Sequence, residues 1–304
     1  MAQEHTMIGT GNWWMVAMGL LVWAGVAAAQ QAADPDFDAT VAKPAYSANG
    51  PRVLFDKAHH NFHTANGRYK PFADLIRNDG FRITPNKDPF TLESLQAHDI
   101  LIISNAMGPV GKGKGHDSDP AFTDAECDVV RDWVRGGGRL LFIADHYPMG
   151  SAAEILAKRF DVLMSKGMTD EFEFTAERGL AVDHPILRGR GPEETVNVLK
   201  TFTGQSLQGP PDATVLIALP ADAKEMIPDP QNPEKGKPIE VPGVYPAQGL
   251  AFTFGKGRVV VLGEAAMMTA QVTSKGEKFG MNVSGIDNRQ FALNTMRWLA
   301  GKGD

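Results

Sequence analysis

Three histidines fall within the run Asp56-Lys57-Ala58-His59-His60-Asn61-Phe62-His63, and a fourth, His146, follows Asp145. Imidazoles and carboxylates are the ligands of zinc, iron and manganese sites, so His59, His63, His146 and Asp145 form a candidate set for a divalent metal. His59 and His63 are spaced to share one helical face if their loop winds into a turn, with His60 pointing away. An ion held there would lower the pKa of a bound water, and a spare carboxylate, Glu264 or Asp145, would take its proton. Without an ion, His146 could act as general base with Asp145 as its orienting carboxylate, which makes Asp145, His146 and Glu264 the candidate catalytic groups. The same chemistry also suits plain recognition, in which Asp56, Asn61, Asn105 and His116 hydrogen-bond a ligand. Arg68 could reach an anionic ligand, although a charge at a helix start is more often solvated.

These groups need a scaffold that brings distant segments to one edge. Val53 to Phe55 reads as a buried strand. Tyr69, Phe72, Ala73 and Ile76 follow at helical spacing, Gly80 stops that helix, and Phe81 to Thr84 is the next strand. Ile100 to Ile103 and Leu140 to Ala144 are unbroken apolar runs of the kind covered on both faces of a parallel sheet. Between them Thr123-Asp124-Ala125-Glu126 forms a capping box, and Gly136-Gly137-Gly138 ends its helix. Ser151 to Glu154 is expected to cap a further helix, and Asp287 to Gln290 the last one. Thr214 to Ala218 is a strand, Pro220 to Pro246 a long exposed loop, and Leu250 to Leu262 a hairpin about Gly255-Lys256-Gly257. The order predicts an α/β, flavodoxin-like, doubly wound and mostly parallel sheet with helices on both faces and a late β-hairpin. Open sheets of this kind bind ligands at the carboxyl ends of their strands, where Asp56, His59, Asn105, Asp145 and His146 would gather.

The chain has 304 residues and a formal net charge of −6, with no basic block, which argues against a nucleic-acid partner. A domain of this size can bury roughly 75% of its unfolded surface, so it needs no covalent staples. Residues 1–29 read as a signal peptide, with an apolar run from Trp13 to Ala28 and cleavage after Ala29. An uncleaved anchor is the alternative, and would be the one contact with a membrane. The expected location is periplasmic or secreted. Residues 30–50 read as a flexible linker and 51–304 as a single domain. Cys127 is the one cysteine, which excludes an intramolecular disulfide. It sits within a helix, with no histidine base or helix N-terminus to lower its pKa, and reads as structural. Gly108 to Gly115 imitates a phosphate loop, yet it lacks the Ser or Thr after the lysine and does not open into a helix. It reads instead as a lid, with His116 able to close on a ligand.

Taken together, Val53 to Asp56, Asp99 to Asn105, Trp133 to Gly138, Leu140 to His146, His184-Pro185-Ile186 with Gly189, and Gly255 to Gly263 resemble the class I glutamine amidotransferase-like superfamily, and its exported branch most of all. By this resemblance the relatives include trehalose-utilisation-type proteins and a domain of intraflagellar transport proteins. Family members with amidotransferase activity carry a cysteine in a Gly-x-Cys-x-Gly elbow after the fourth strand. Here the elbow is Ala144-Asp145-His146-Tyr147-Pro148, so glutamine hydrolysis by a thiolate is not implied. Fold likeness transfers no activity by itself. The sequence therefore favours a non-catalytic module that binds a small molecule or glycan, with a metal-dependent hydrolase acting on a sugar or cell-envelope substrate as the alternative.

Overall fold

The computed structural model describes residues 31–47, 49–109, 119–229, 231 and 237–302. Its centre is a sheet of β1 (Arg52–Asp56), β2 (Arg82–Asn86), β3 (Ile100–Ser104), β4 (Arg139–Ile143), β5 (Ala247–Phe254) and β6 (Gly257–Leu262) in the order β2-β1-β3-β4-β6-β5. The first five strands of that order run parallel, and β5 returns antiparallel to β6. Short strands at Leu207–Gln208 and Leu163–Met164 extend the sheet beyond β5, and Thr214–Ala218 pairs with β5 as well. This is the flavodoxin-like, mostly parallel architecture that the alternation of elements predicts.

Side-chain alternation explains the two covered faces. Val53, Phe55, Ile100, Ile102, Leu141 and Ile143 point to one side, where α1 (Lys70–Asn78) and the last helix, Asn288–Leu299, pack. Leu54, Leu101, Ile103, Leu140 and Phe142 point to the other, against α2 (Asp124–Arg135) and α3 (Met149–Ala157). Apolar residues at successive positions of one strand thus serve two cores. The hairpin closes through Gly255, whose φ of 62° supplies the backbone that a two-residue turn demands at its first position.

Four expectations need correction. Residues 31–47 are no free tether. Ala32–Ala33 pairs with Ala270–Val272, and Phe37, Ala39, Val41 and Tyr46 pack on the first core. The 220–246 stretch contains two strands, Lys224–Ile227 and Ile239–Pro242, which form a small sheet with Met168–Thr169; Pro and Lys mask their alternation in the sequence. Helix α3 begins at Met149 without a side-chain cap, so Ser151 lies inside it. Asp287 occupies the N-cap of the last helix but turns its carboxylate to the amides of Asn197 and Val198.

Candidate functional site

The loop after β1 divides its histidines between the two faces of the sheet. His59 turns towards α2. Its Nδ1 lies 2.9 and 3.0 Å from the two Asp56 oxygens, and its Nε2 lies 2.9 Å from Glu126 Oε1. The rings of Phe90 and Phe122 flank it at 4.6 and 4.7 Å. Asp56 also accepts from the Ala58 amide and from the carboxamides of Asn61 and Asn86. Glu126 takes further bonds from the amides of Phe90 and Thr123 and from the Thr123 hydroxyl. Burial presses the His59 pKa down, but the bonds and charges of Asp56 and then Glu126 prevail and raise it. Burial likewise pushes Glu126 up, and its bonds to Thr123 and His59 bring it below its ordinary value. The two directions agree, as they should for one charge-assisted contact.

His63 turns to the opposite face. Its ring lies 4.7 Å from that of Tyr69, the N-cap of α1, and 5.2 Å from that of Phe62. It is 4% exposed and makes no hydrogen bond among the described residues, with Nδ1 sealed from solvent. Burial, with the Arg68 charge second, lowers its pKa to about 3, so the imidazole is neutral. The expected set of His59, His63, His146 and Asp145 is therefore not assembled. Both ring nitrogens of His59 are committed to carboxylates, the sheet separates it from His63, and the described residues contain no cluster of three or more His, Cys, Asp or Glu that could hold a metal. Asp56 and Asn61 belong to the same saturated network, where they hold the loop rather than offer themselves to a ligand.

The carboxyl edge of β3, β4 and β6 does converge. Asn105, at a φ of 46°, accepts the Asp145 amide on Oδ1 and the Phe62 amide on its carbonyl oxygen, which links the β1 loop to the elbow after β4. Asp145 accepts the His146 amide on Oδ1, and His146 Nδ1 donates to the Tyr147 carbonyl at 2.6 Å. A carbonyl can only accept, so Nδ1 carries a proton here, and Nε2 of the neutral ring is then an acceptor. Gln205 staples the elbow from below, donating to the carbonyls of Ala144 and Asp145 while it accepts the Lys166 amide. Glu264, at the end of β6, is fully buried and accepts backbone amides of Ala266, Met267 and Phe202. Burial, then the neighbouring Asp145 charge, raises its pKa well above the usual range. Tyr69 donates to the Ala265 carbonyl at 2.8 Å; burial raises its pKa, the Ser104 contact counters this, and the charges of Glu264 and Asp145 add to the rise.

Asn105, Asp145, His146 and Glu264 thus meet at the edge where the topology places them, joined by Tyr69, Ser104 and Gln205. The helical spacing of Tyr69 reads only as core, and a lone Ser104 or Gln205 carries no spacing signal, so none of the three is legible in the sequence as a site residue. Glu126 was visible only as a cap. His116 and most of the Gly108 to Gly115 loop lie outside the described residues. Cys127 is buried in α2, and burial pushes its thiol up to about 12, so it is no nucleophile. A cavity of about 350 Å³ between Arg52, His98, Asp99, Trp133 and Arg139 opens at the other end of the strands. Open sheets of this class do not bind at that end.

No family model matches this chain, and no curated protein does. Solved structures do. The mmIFT52 N-terminal domain is 16% identical, with a TM-score of 0.54 over 82% of this chain and 96% of that one. A ThuA-like protein from Bacteroides uniformis is 16% identical, with a TM-score of 0.45 over 84% of this chain and 94% of its own. A cytoplasmic protein from Salmonella typhimurium is 12% identical, with a TM-score of 0.46 over 82% and 98%. At such identities the likeness is one of fold alone.

Proposed function

We propose that this chain is an exported, non-catalytic binding module of the amidotransferase-like fold, one that lacks the family's elbow cysteine and takes a hydroxyl-rich small molecule or glycan at the carboxyl edge of its sheet. One observation carries the reading. At the elbow, the second carboxylate oxygen of Asp145 and Nε2 of His146 have no partner among the described residues, and both are acceptors suited to sugar hydroxyls. The groups that would drive covalent chemistry are committed elsewhere. Glu264 is sealed among backbone amides, His59 is clamped between two carboxylates, and the thiol is buried. The metal-dependent hydrolase finds no support in this arrangement, because its imidazoles face different ways.

Titration calorimetry of the full chain with α-1,4-galactobiose, cellobiose and maltose tests the reading. Saturable binding should appear for at least one sugar. Asp145→Asn and His146→Ala should each weaken it about tenfold or more, the usual cost of a hydrogen bond to a charged or buried partner. The sugar should be recovered intact. Catalytic cleavage of it, or binding indifferent to both substitutions, would overturn the proposal.

A further inference from the structure

One cation in the block before α1 is unexplained by the contacts described so far. Arg68 lies with its guanidinium 4.3 Å from the centre of the Phe62 ring and makes neither an ion pair nor a hydrogen bond among the described residues. It is half-buried, and burial lowers its pKa, with no acid among the described residues offsetting that effect. The neighbouring His63 is neutral, so it adds no second positive charge beside Arg68. Lys70, the other cation here, is already paired with Asp74. The block is tied to the elbow, because the Phe62 amide donates to Asn105 at 2.9 Å and Asn105 accepts the Asp145 amide at 3.0 Å.

We infer that the ligand of this edge carries a carboxylate and that Arg68 selects it, so that the favoured saccharide is a uronate and not its neutral counterpart. This rests on the saccharide reading given above. A guanidinium presents a planar fork that matches a carboxylate with two parallel bonds. Stacking on Phe62, itself 45% exposed, holds that fork in place before the ligand arrives and reduces the rotamer freedom lost on binding. Asp145 and His146 would then accept hydroxyls of the same sugar. A neutral saccharide would leave the cation unmatched.

The experiment compares digalacturonate with α-1,4-galactobiose, which shares its linkage and ring hydroxyls but has hydroxymethyl groups in place of the carboxylates. Calorimetry on the full chain should give digalacturonate an advantage of about tenfold or more. Arg68→Gln should erase that advantage, lowering digalacturonate affinity about tenfold or more and galactobiose affinity by much less. Arg68→Lys, which keeps the charge, should retain part of it, and added salt should shrink it. Equal affinities in the unmodified chain, or an advantage that survives Arg68→Gln, would sink the inference. If galactobiose still bound in an Asp145-dependent way, the saccharide reading would stand without it. Failure of both sugars to bind would remove both.

Discussion

His59 shows how a residue suited to metal chemistry can be consumed by the fold. Its imidazole bridges Asp56, 0% exposed, and Glu126 on α2, so it links the first strand to a helix on the second face. Removing one member of a buried charged set typically costs about 3–5 kcal/mol, and His59→Ala should lose an amount in that range on urea unfolding. The pH dependence has a definite sign. The folded pKa of His59 is raised above about 6.5, so its contribution is complete below that value and disappears as pH rises through the folded value. Glu126 is lowered from 4.5, so its contribution is present above that value and disappears as pH falls through the folded one. The difference in unfolding free energy between the unmodified chain and His59→Ala should therefore be largest near pH 5 to 6 and smaller at pH 9. A difference that stayed constant from pH 5 to 9 would show that the bridge carries no charge.

At the scale of elements, the elbow is held by an approach that only glycine permits. A Cβ on Gly150, in the first turn of α3, would come within 2.4 Å of the Gln205 carboxamide that staples Ala144 and Asp145. Alanine favours a helix interior over glycine by up to about 1 kcal/mol, so Gly150→Ala should stabilise the chain if nothing stood in the way. Overpacking costs about 1–3 kcal/mol, which is the larger effect. The variant should melt lower, and its sugar affinity should fall because the staple moves; a higher melting point with unchanged binding would refute this account. Strands and helices with strong period were legible in the sequence: the apolar runs at Val53, Ile100 and Leu140 all became central strands, and Thr123 with Glu126 did form a capping box. The convergence of Asn105, Asp145 and His146 followed from topology alone. What escaped reading were contacts between residues far apart in sequence, such as His59 with Glu126 or Gln205 with Asp145, because no local period encodes them.

At the scale of the whole molecule, residues 31–47 behave as a strap that closes the first core. The Ala45 amide donates to Asp79 Oδ1 at 2.7 Å and the Tyr46 amide to the Asp79 carbonyl at 3.2 Å. Asp79 itself holds Arg297 of the last helix through two bonds of 2.7 Å, with both side chains almost fully buried. Arg190 reaches the Lys43 carbonyl at 2.9 Å, and Arg289 donates to the carbonyl of Thr40. Tyr46 packs edge-on against Phe81 at 5.3 Å, and a Cβ on Gly80 would strike the Tyr46 carbonyl at 2.3 Å, so the strap sits against bare backbone. A low sequence hydrophobicity concealed this, because the strap is held largely through its backbone. A chain shortened to begin at Ser47 would open the Asp79–Arg297 pair to water and expose Phe81. Losing those hydrogen bonds and the apolar contacts should cost about 3 kcal/mol, which for a domain of this size lowers the melting midpoint by about 6–12 °C. The effect should be less than additive with Arg297→Ala, since both changes disturb one network. A shortened chain that melts at the same temperature would return residues 31–47 to the role of a passive tether.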